Sequence, residues 1–287
     1  MTAYRGAALK AAIANSDTTL ELPAFDPAPQ VGDTALVWVT GAAPSAPVYT
    51  PPSSGWAYVT GTRVFDAGSP GVALEAWWKR LTSADLGPTG WGWDPAHGTI
   101  VAGVVYSPAT GKMVQPAEAA AAGGDTSSTT RTTPTLTTAG PRWLVFAYAD
   151  RSGSTWTPGS GQTTRHDSRR GTASAVLVTD TGAELAAGSY SRTTTASVAT
   201  GTRAEGVVAL QEVDAPTTTP DPDPPPTEDT GSTSWLQVPS GFARLELLTP
   251  RPAGGGTGQE PPAGGTNPTP TGGLGTQALG TTPLGGS

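Results

Sequence analysis

Short runs of β-forming residues, each bounded by turn residues, recur along the first 213 positions of this chain. Clusters of Pro, Gly, Ser and Asp separate the runs and supply turns. The best marked runs are 34–39, 72–81, 99–106, 142–149 and 204–213. Helical periodicity is almost absent, although residues 7–14 contain helix formers and their state stays open. The pattern predicts an all-β fold in which two antiparallel sheets pack as a jelly-roll-like β-sandwich over residues 1–213.

Two parts of this region carry similar patterns. Residues 33–39 align with 141–147, and residues 100–105 align with 203–208. The Trp-containing turn that ends at Trp56 aligns with the one that ends at Trp156. Each part therefore runs from an apolar strand, through a turn that carries a Trp, to a closing strand that contains Gly-Val-Val. A duplication and two independently similar sheets both explain this likeness.

Composition changes sharply after Val213. Residues 214–231 combine acids with prolines, and we expect a stiff, extended linker because proline fixes φ and like charges repel. Residues 232–248 form a short apolar docking segment, too small for a core of its own. Residues 249–287 are rich in Gly, Pro and Thr and predict an extended arm that lies on a neighbouring subunit. The predicted docking residues of the segment and the arm are Trp235, Leu236, Phe242, Leu245, Leu274, Leu279 and Leu284.

Residue counts exclude several classes of function. The chain has no Cys and two His, which excludes disulfides, thiolate nucleophiles and thiolate zinc sites. A net charge of −7 argues against phosphate neutralisation, so we expect no nucleic-acid partner. No stretch approaches the roughly 20 apolar residues of a membrane span, and residues 1–14 lack the apolar block of a signal peptide. We therefore expect no cofactor, no membrane insertion and no standard leader.

Catalytic motifs are weak. His166, Asp167 and Ser168 are the residue types of a triad, but neighbours on an extended chain point apart, so we interpret them as a polar loop. No nucleophile elbow of the GxSxG type is present. Asp94 and His97 are too few for a zinc site, with calcium at Asp94 as the alternative. We expect no enzyme and no metal.

Three tryptophans are the candidates for a binding surface. Trp78 shares the alternation of the core residues in its strand, which places Trp77 on the outer face with Glu75. With Trp91 and Trp93 of the following loop, Trp77 could stack on a sugar or anchor a protein neighbour, because both uses exploit large amphipathic rings. The alternative is that Trp91 and Trp93 cap an open end of the sandwich.

Several segments together resemble a known family. They are VGDTALVWV, PPSSGWAYVTGT, VALEAWWKRLTSAD, TIVAGVVYSP and AEGVVALQEV. Over roughly residues 15–213 they are similar to the β-sandwich domain of tail proteins from phages that infect actinobacteria. In that family a Gly-Asp turn opens a core strand, a Gly-Trp turn buries its Trp, and aromatic residues before a Lys form a later core strand. Here Gly32-Asp33, Gly55-Trp56 and Trp77-Trp78-Lys79 take those places.

The resemblance implies a structural role in a virion. Members of the family look like minor tail or baseplate-associated proteins, which assemble in the host cytoplasm with other virion proteins. We therefore expect a homo-oligomer within a phage particle, located at the tail tip or baseplate. A capsid decoration protein is one alternative. A carbohydrate-binding module that recognises a cell-surface glycan is the other.

Overall fold

A computed structural model describes residues 3–11, 17–68, 70–124, 126–171 and 174–216. All of them belong to one compact unit, Met1–Pro224. The predicted docking segment and arm, with the seven docking residues named above, lie outside the described residues, as does the predicted linker after residue 216. The contacts expected of that region with neighbouring subunits therefore stay predictions.

The first half of the described chain contains two antiparallel sheets. Its strands are β1 (Ala3–Ala11), β2 (Thr19–Leu22), β3 (Thr34–Ala43), β4 (Val48–Thr50), β5 (Ala57–Tyr58), β6 (Val64–Asp66), β7 (Gly71–Arg80), β8 (Thr89–Asp94) and β9 (Gly98–Ser107). The large sheet has the order β1-β9-β3-β7-β5, with β6 also paired to β7, and the small sheet has the order β2-β8-β4. A 3₁₀ turn at Ser83–Asp85 is the only helical element in the described ranges. The segment whose state was open continues strand β1 as far as Ala11.

The second half repeats this strand order. Its strands are β10 (Lys112–Gly124), β11 (Ser128–Thr132), β12 (Leu136–Thr138), β13 (Trp143–Asp150), β14 (Trp156–Pro158), β15 (Thr163–Arg170), β16 (Ser174–Asp180), β17 (Gly188–Tyr190), β18 (Thr193–Thr200) and β19 (Arg203–Asp214). Its large sheet is β10-β19-β13-β16-β15, and its small sheets are β11-β18-β14 and β12-β17. Each strand of β1-β9-β3-β7 therefore has a counterpart at the same place in β10-β19-β13-β16.

The two large sheets pack face to face through one apolar cluster, which we call the shared core. Leu36, Trp38 and Val104 enter it from the first half, and Val145 and Val208 enter it from the second. The opposite face of each large sheet is also apolar and is covered by the small sheets of its own half. These contacts form the first outer core and the second outer core.

The all-β prediction is confirmed, but the number of sheets was wrong. Five antiparallel sheets are present in the described chain, where the sequence predicted two. The reason is visible in β3 and β13, whose residues are buried on both faces almost without exception. Strands that are apolar on both faces need cover on both sides, and the small sheets supply the second cover.

In two of its three segments, the sequence alignment of the two halves pairs residues that face different cores. It matched Leu36 with Leu144, yet Leu36 lies in the shared core and Leu144 lies in the second outer core. It also matched Val104 with Val207, which face these same two different cores. A shift of one residue moves a strand residue to the opposite face of its sheet. In these two segments the likeness therefore identified matching strands but not matching positions, whereas the aligned Trp56 and Trp156 both lie in the outer core of their own half.

A buried polar clasp ties the two halves together. Asp180 on β16 is fully buried and accepts hydrogen bonds from Arg165 Nε at 2.8 Å and Arg165 Nη2 at 2.9 Å. Tyr106 on β9 donates its hydroxyl to Asp180 Oδ2 at 2.9 Å. The guanidinium of Arg165 also lies 3.7 Å from the ring centre of Tyr4 on β1. Charge-assisted, bidentate hydrogen bonds of this kind fix geometry, so the halves are held in one orientation.

Candidate functional site: a groove around Trp78

Two of the three tryptophans predicted to form a binding surface are buried. Trp91 and Trp93 lie on β8 with 1% and 4% of their surface exposed, and both belong to the first outer core. Gly90 and Gly92 alternate with them, so both indoles point to the same face of the small sheet. These two residues therefore cannot offer a stacking platform. The Gly-Trp alternation is a strand signal that the prediction of a loop overlooked.

Trp77 lies on a covered face of β7, not on an outer one. Its Nε1 donates to Glu75 Oε1 at 2.6 Å, and its ring meets the ring of Trp91 edge-on at 6.5 Å between centres. Glu75 is 1% exposed and pairs with Arg63 Nε at 2.6 Å. Burial raises the pKa of Glu75, although the bonds from Arg63 and Trp77 oppose the rise. The small sheet covers this face, which corrects the predicted placement. A partner contact at the half-buried Trp77 stays a prediction.

Trp78 is the tryptophan that borders an open surface. Its side chain packs against the shared core, as its alternation predicted, but it remains only partly buried. Two depressions have this residue in their lining. One has a volume of about 610 Å³ and lies between residues 53–55 and residues 79–85, and the other, of about 220 Å³, lies between residues 58–60 and 116–119. We call the two depressions together the Trp78 groove. Ligand sites are commonly 300–1,000 Å³ in volume.

A fixed polar network forms one wall of the Trp78 groove. Lys79 Nζ donates to Ser53 Oγ at 3.1 Å, to Ser54 O at 3.0 Å and to Asp85 Oδ1 at 2.6 Å. Thr82 donates to Asp85 Oδ2 through its backbone N at 2.9 Å and its hydroxyl at 2.6 Å. Burial alone would raise the pKa of Asp85, but the bonds from Lys79 and Thr82 outweigh it and lower the pKa. All three ammonium protons of Lys79 are therefore engaged within this wall.

Two donors in the groove are left for a ligand. Among the residues that the structure describes, none accepts a hydrogen bond from Trp78 Nε1, and none forms a hydrogen bond or an ion pair with the guanidinium of Arg80. Arg80 is exposed and follows Trp78 by two positions on β7. The groove is therefore lined by a partly buried indole and by the exposed guanidinium of Arg80, and each has a donor without a partner among the described residues. Sequence reasoning missed this site because Trp78 had been assigned wholly to the core.

A buried ionic cluster in the second outer layer is closed to solvent. Arg131, Asp150 and Glu205 are 0%, 1% and 3% exposed. Asp150 accepts hydrogen bonds from Ser152 Oγ at 2.7 Å and Ser154 Oγ at 3.0 Å, and Arg131 Nη2 lies 3.5 Å from Asp150 Oδ2. Burial raises the pKa of Glu205 to about 7, against the effect of two nearby arginines. The three residues lie on β11, β13 and β19, so no local sequence motif predicts the cluster.

The histidines are structural. His166 lies on strand β15, not in the predicted loop, and its Nε2 is 2.8 Å from the carbonyl oxygen of Gly103. His97 is 1% exposed, and its Nε2 lies 3.3 Å from the Tyr49 hydroxyl. Burial lowers the pKa of both rings. Within the described ranges, no three His, Asp or Glu side chains come together as a metal site would require.

Comparisons of this chain with known proteins give no relative from which a function of the groove could be inferred. In the part of the chain that the structure describes, no helix has the length and apolar character needed to cross a membrane. No family model, no curated protein and no solved structure matches this chain.

Proposed function

We propose that this chain is a structural component of the virion of a tailed phage, and specifically a minor tail protein of the tail tip or baseplate. The observation that carries the proposal is the pair of halves joined through the shared core and the Asp180 clasp. Only residues 108–111 connect β9 to β10. Such a body is one block with the small sheets of the two halves on opposite sides, which suits a part that contacts neighbours on both sides.

The strand order supports a finer description of each half, which we propose to be a jelly roll. Numbering the first-half strands along the chain, with β5 and β6 counted as one, gives sheets in the order 1-8-3-6-5 and 2-7-4. Apart from strand 5, which pairs with strand 6 in the large sheet instead of completing the small sheet, this is the order of an eight-stranded jelly roll, a fold that recurs in viral capsid and lectin domains. The argument is a fold-level analogy, since one fold serves many functions. Its agreement with the phage resemblance of the sequence supports the proposal.

The outer surface of the second half suits contact with protein neighbours. Thr130, Thr195 and Thr157 are exposed and lie side by side across β11, β18 and β14. A row of short hydroxyl side chains is uncharged and loses little side-chain entropy when covered. We infer that virion proteins, including further copies of this chain, pack on this surface.

Labelling of particles tests the proposal. Antibodies raised against the full chain would be applied with gold markers to purified particles of the phage that encodes it, and the particle proteins would be identified by mass spectrometry. We expect the chain in the particle and gold at the distal end of the tail. Gold on the head would favour the capsid decoration alternative. Absence of the chain from purified particles would refute the structural role altogether.

A further inference from the structure

The first depression of the Trp78 groove, of about 610 Å³, lies at the end of strand β7. On one side of β7, strand β5 pairs only with Trp77 and Trp78, and no described strand pairs with residues 79 and 80 on that side. Trp78 and Arg80 both line the depression. They are two positions apart, so their side chains leave the same face of β7 from Cα atoms roughly 7 Å apart. An indole and a guanidinium therefore border the same depression.

The positive charge of Arg80 is not balanced within this depression. Lys79 and Asp85 also line it, but they form an ion pair at 2.6 Å and neutralise each other. The second oxygen of Asp85 is engaged by Thr82. Asp85 is the only acid among the described residues of this lining, because Glu118 lines the second depression. The exposed guanidinium of Arg80 therefore gives the first depression a net positive charge.

Other groups in the lining match the hydroxyls and the ring of a sugar. Among the described residues, none is hydrogen-bonded to the Ser54 hydroxyl or to Trp78 Nε1. A hydroxyl both donates and accepts, and an indole N–H donates. Trp78 and Ala84 add apolar surface to the same lining. A sugar residue combines an apolar ring face with hydroxyls around its edge, so it suits a lining in which an aromatic side chain lies beside polar groups.

The position of Arg80 indicates which sugars suit the depression. The whole chain has a net charge of −7, so a polyanion is not attracted to its surface in general. A guanidinium presents two parallel N–H donors that match a carboxylate. Arg80 Nη2 lies near Gly32, which is outside this lining, and a Cβ added at Gly32 would be 3.7 Å from it. The guanidinium therefore stands at the rim, where it meets a carboxylate of a ligand that fills the depression.

We propose that the first depression of the Trp78 groove binds an acidic saccharide of the uronic acid type. A sugar ring packs on Trp78, its hydroxyls bond to Trp78 Nε1 and Ser54, and a carboxylate of the saccharide pairs with Arg80. The inference does not rest on the virion role. The carboxylate contact is exposed at the rim, so salt weakens it.

Isothermal titration calorimetry with the full-length chain tests the proposal. The probes are trigalacturonate and a neutral galactose trimer, which has the same length but no carboxylates, together with inorganic phosphate. The variants are Arg80→Gln, which removes the charge, and Trp78→Phe, which keeps an aromatic ring but removes the N–H. Arg169→Gln is the matched control, because Arg169 is an exposed arginine on β15, outside the groove. Urea midpoints would show that each variant is folded.

We expect trigalacturonate to bind at least tenfold more tightly than the neutral trimer at low salt. Arg80→Gln and 1 M salt should each remove this preference, since both remove the charge contact. Trp78→Phe should weaken the binding of trigalacturonate about threefold or more, and Arg169→Gln should leave it unchanged. Equal affinities for the two trimers, or no binding of trigalacturonate at millimolar concentration, would overturn the proposal. Phosphate bound as tightly as trigalacturonate would also overturn it, because the sugar ring would then contribute nothing.

Discussion

The close contact between Trp38 and Gly206 allows a direct test of how the two halves pack. Trp38 on β3 is fully buried and faces Gly206 on β19 across the shared core. A Cβ at Gly206 would lie 2.8 Å from Cη2 and Cζ3 of Trp38, and 3.3 Å from Cδ2 of Leu74. Carbon atoms do not approach to 2.8 Å without displacement. Gly206→Ala therefore forces the indole or the two sheets to move.

The size of the effect follows from two opposing terms. Overpacking a close-packed core costs about 1–3 kcal/mol, and replacing a glycine inside a strand returns about 0.5–1 kcal/mol. We expect Gly206→Ala to lower the free energy of unfolding by about 1–2 kcal/mol. With a urea m-value of about 2–3 kcal/mol/M, the midpoint falls by roughly 0.5 M. Because the halves share one core, unfolding should remain a single transition.

Equilibrium urea unfolding, followed by tryptophan fluorescence, measures this change. Gly87→Ala is the matched control, because Gly87 is exposed and a Cβ there meets no atom within 4 Å. Its free energy of unfolding should stay within about 0.5 kcal/mol of the parent. Trp38→Phe combined with Gly206→Ala should cost less than the sum of the two single changes, because the smaller ring makes room. An unchanged midpoint for Gly206→Ala would refute the packing argument.

Three further changes test the interior. Asp180→Asn leaves the guanidinium of Arg165 without its carboxylate partner and should lower the free energy of unfolding by about 3–5 kcal/mol. Its control is Lys112→Gln, which removes an exposed ion pair and should leave the urea midpoint almost unchanged. Burial raises the pKa of Glu205 from 4.5 to about 7, so the folded chain binds this proton more tightly and stability falls as pH rises through that window. Glu205→Gln should remove this fall between urea midpoints at pH 5 and pH 8, and an identical fall in both proteins would contradict it. Trp91→Ala should cost about 3–5 kcal/mol by thermal unfolding, and a loss below about 1 kcal/mol would mean that the ring is not in the core.

The central strands could be predicted because their signal is local. The apolar runs at 34–39, 99–106 and 142–149 became β3, β9 and β13 with shifts of a few residues at their ends. Their continuous apolar character is explained by the cover that the shared and outer cores provide on both faces. The same apolar runs do not predict which face of each strand packs in the shared core and which packs in an outer core. A one-residue slip leaves an unbroken apolar run looking the same, while it exchanges the two faces.

The groove could not be predicted because it depends on where neighbouring elements stop. Alternation correctly placed Trp78 on the face of the shared core. Its partial exposure comes from β5, which pairs with β7 only at Trp77 and Trp78 and leaves the strand edge beyond them open. The second wall comes from β10, almost forty residues later in the chain. Neither the length of β5 nor the position of β10 can be predicted from the residues that surround Trp78 in the sequence.

The places of β1 and β19 in their sheets give the two ends of the body unequal resistance to force. Strand β19 is held by a ladder to β10 over residues 203–214 and by a second ladder to β13 over residues 203–210. Strand β1 is an edge strand with one full ladder, to β9. Tension applied after Asp214 first meets the β10 ladder and must then break both ladders from Leu210 onward, whereas tension applied at Ala3 can peel a single one. In any assembly under mechanical load, the C-terminal attachment is therefore the stronger anchor, and the N-terminal strand is the first to yield.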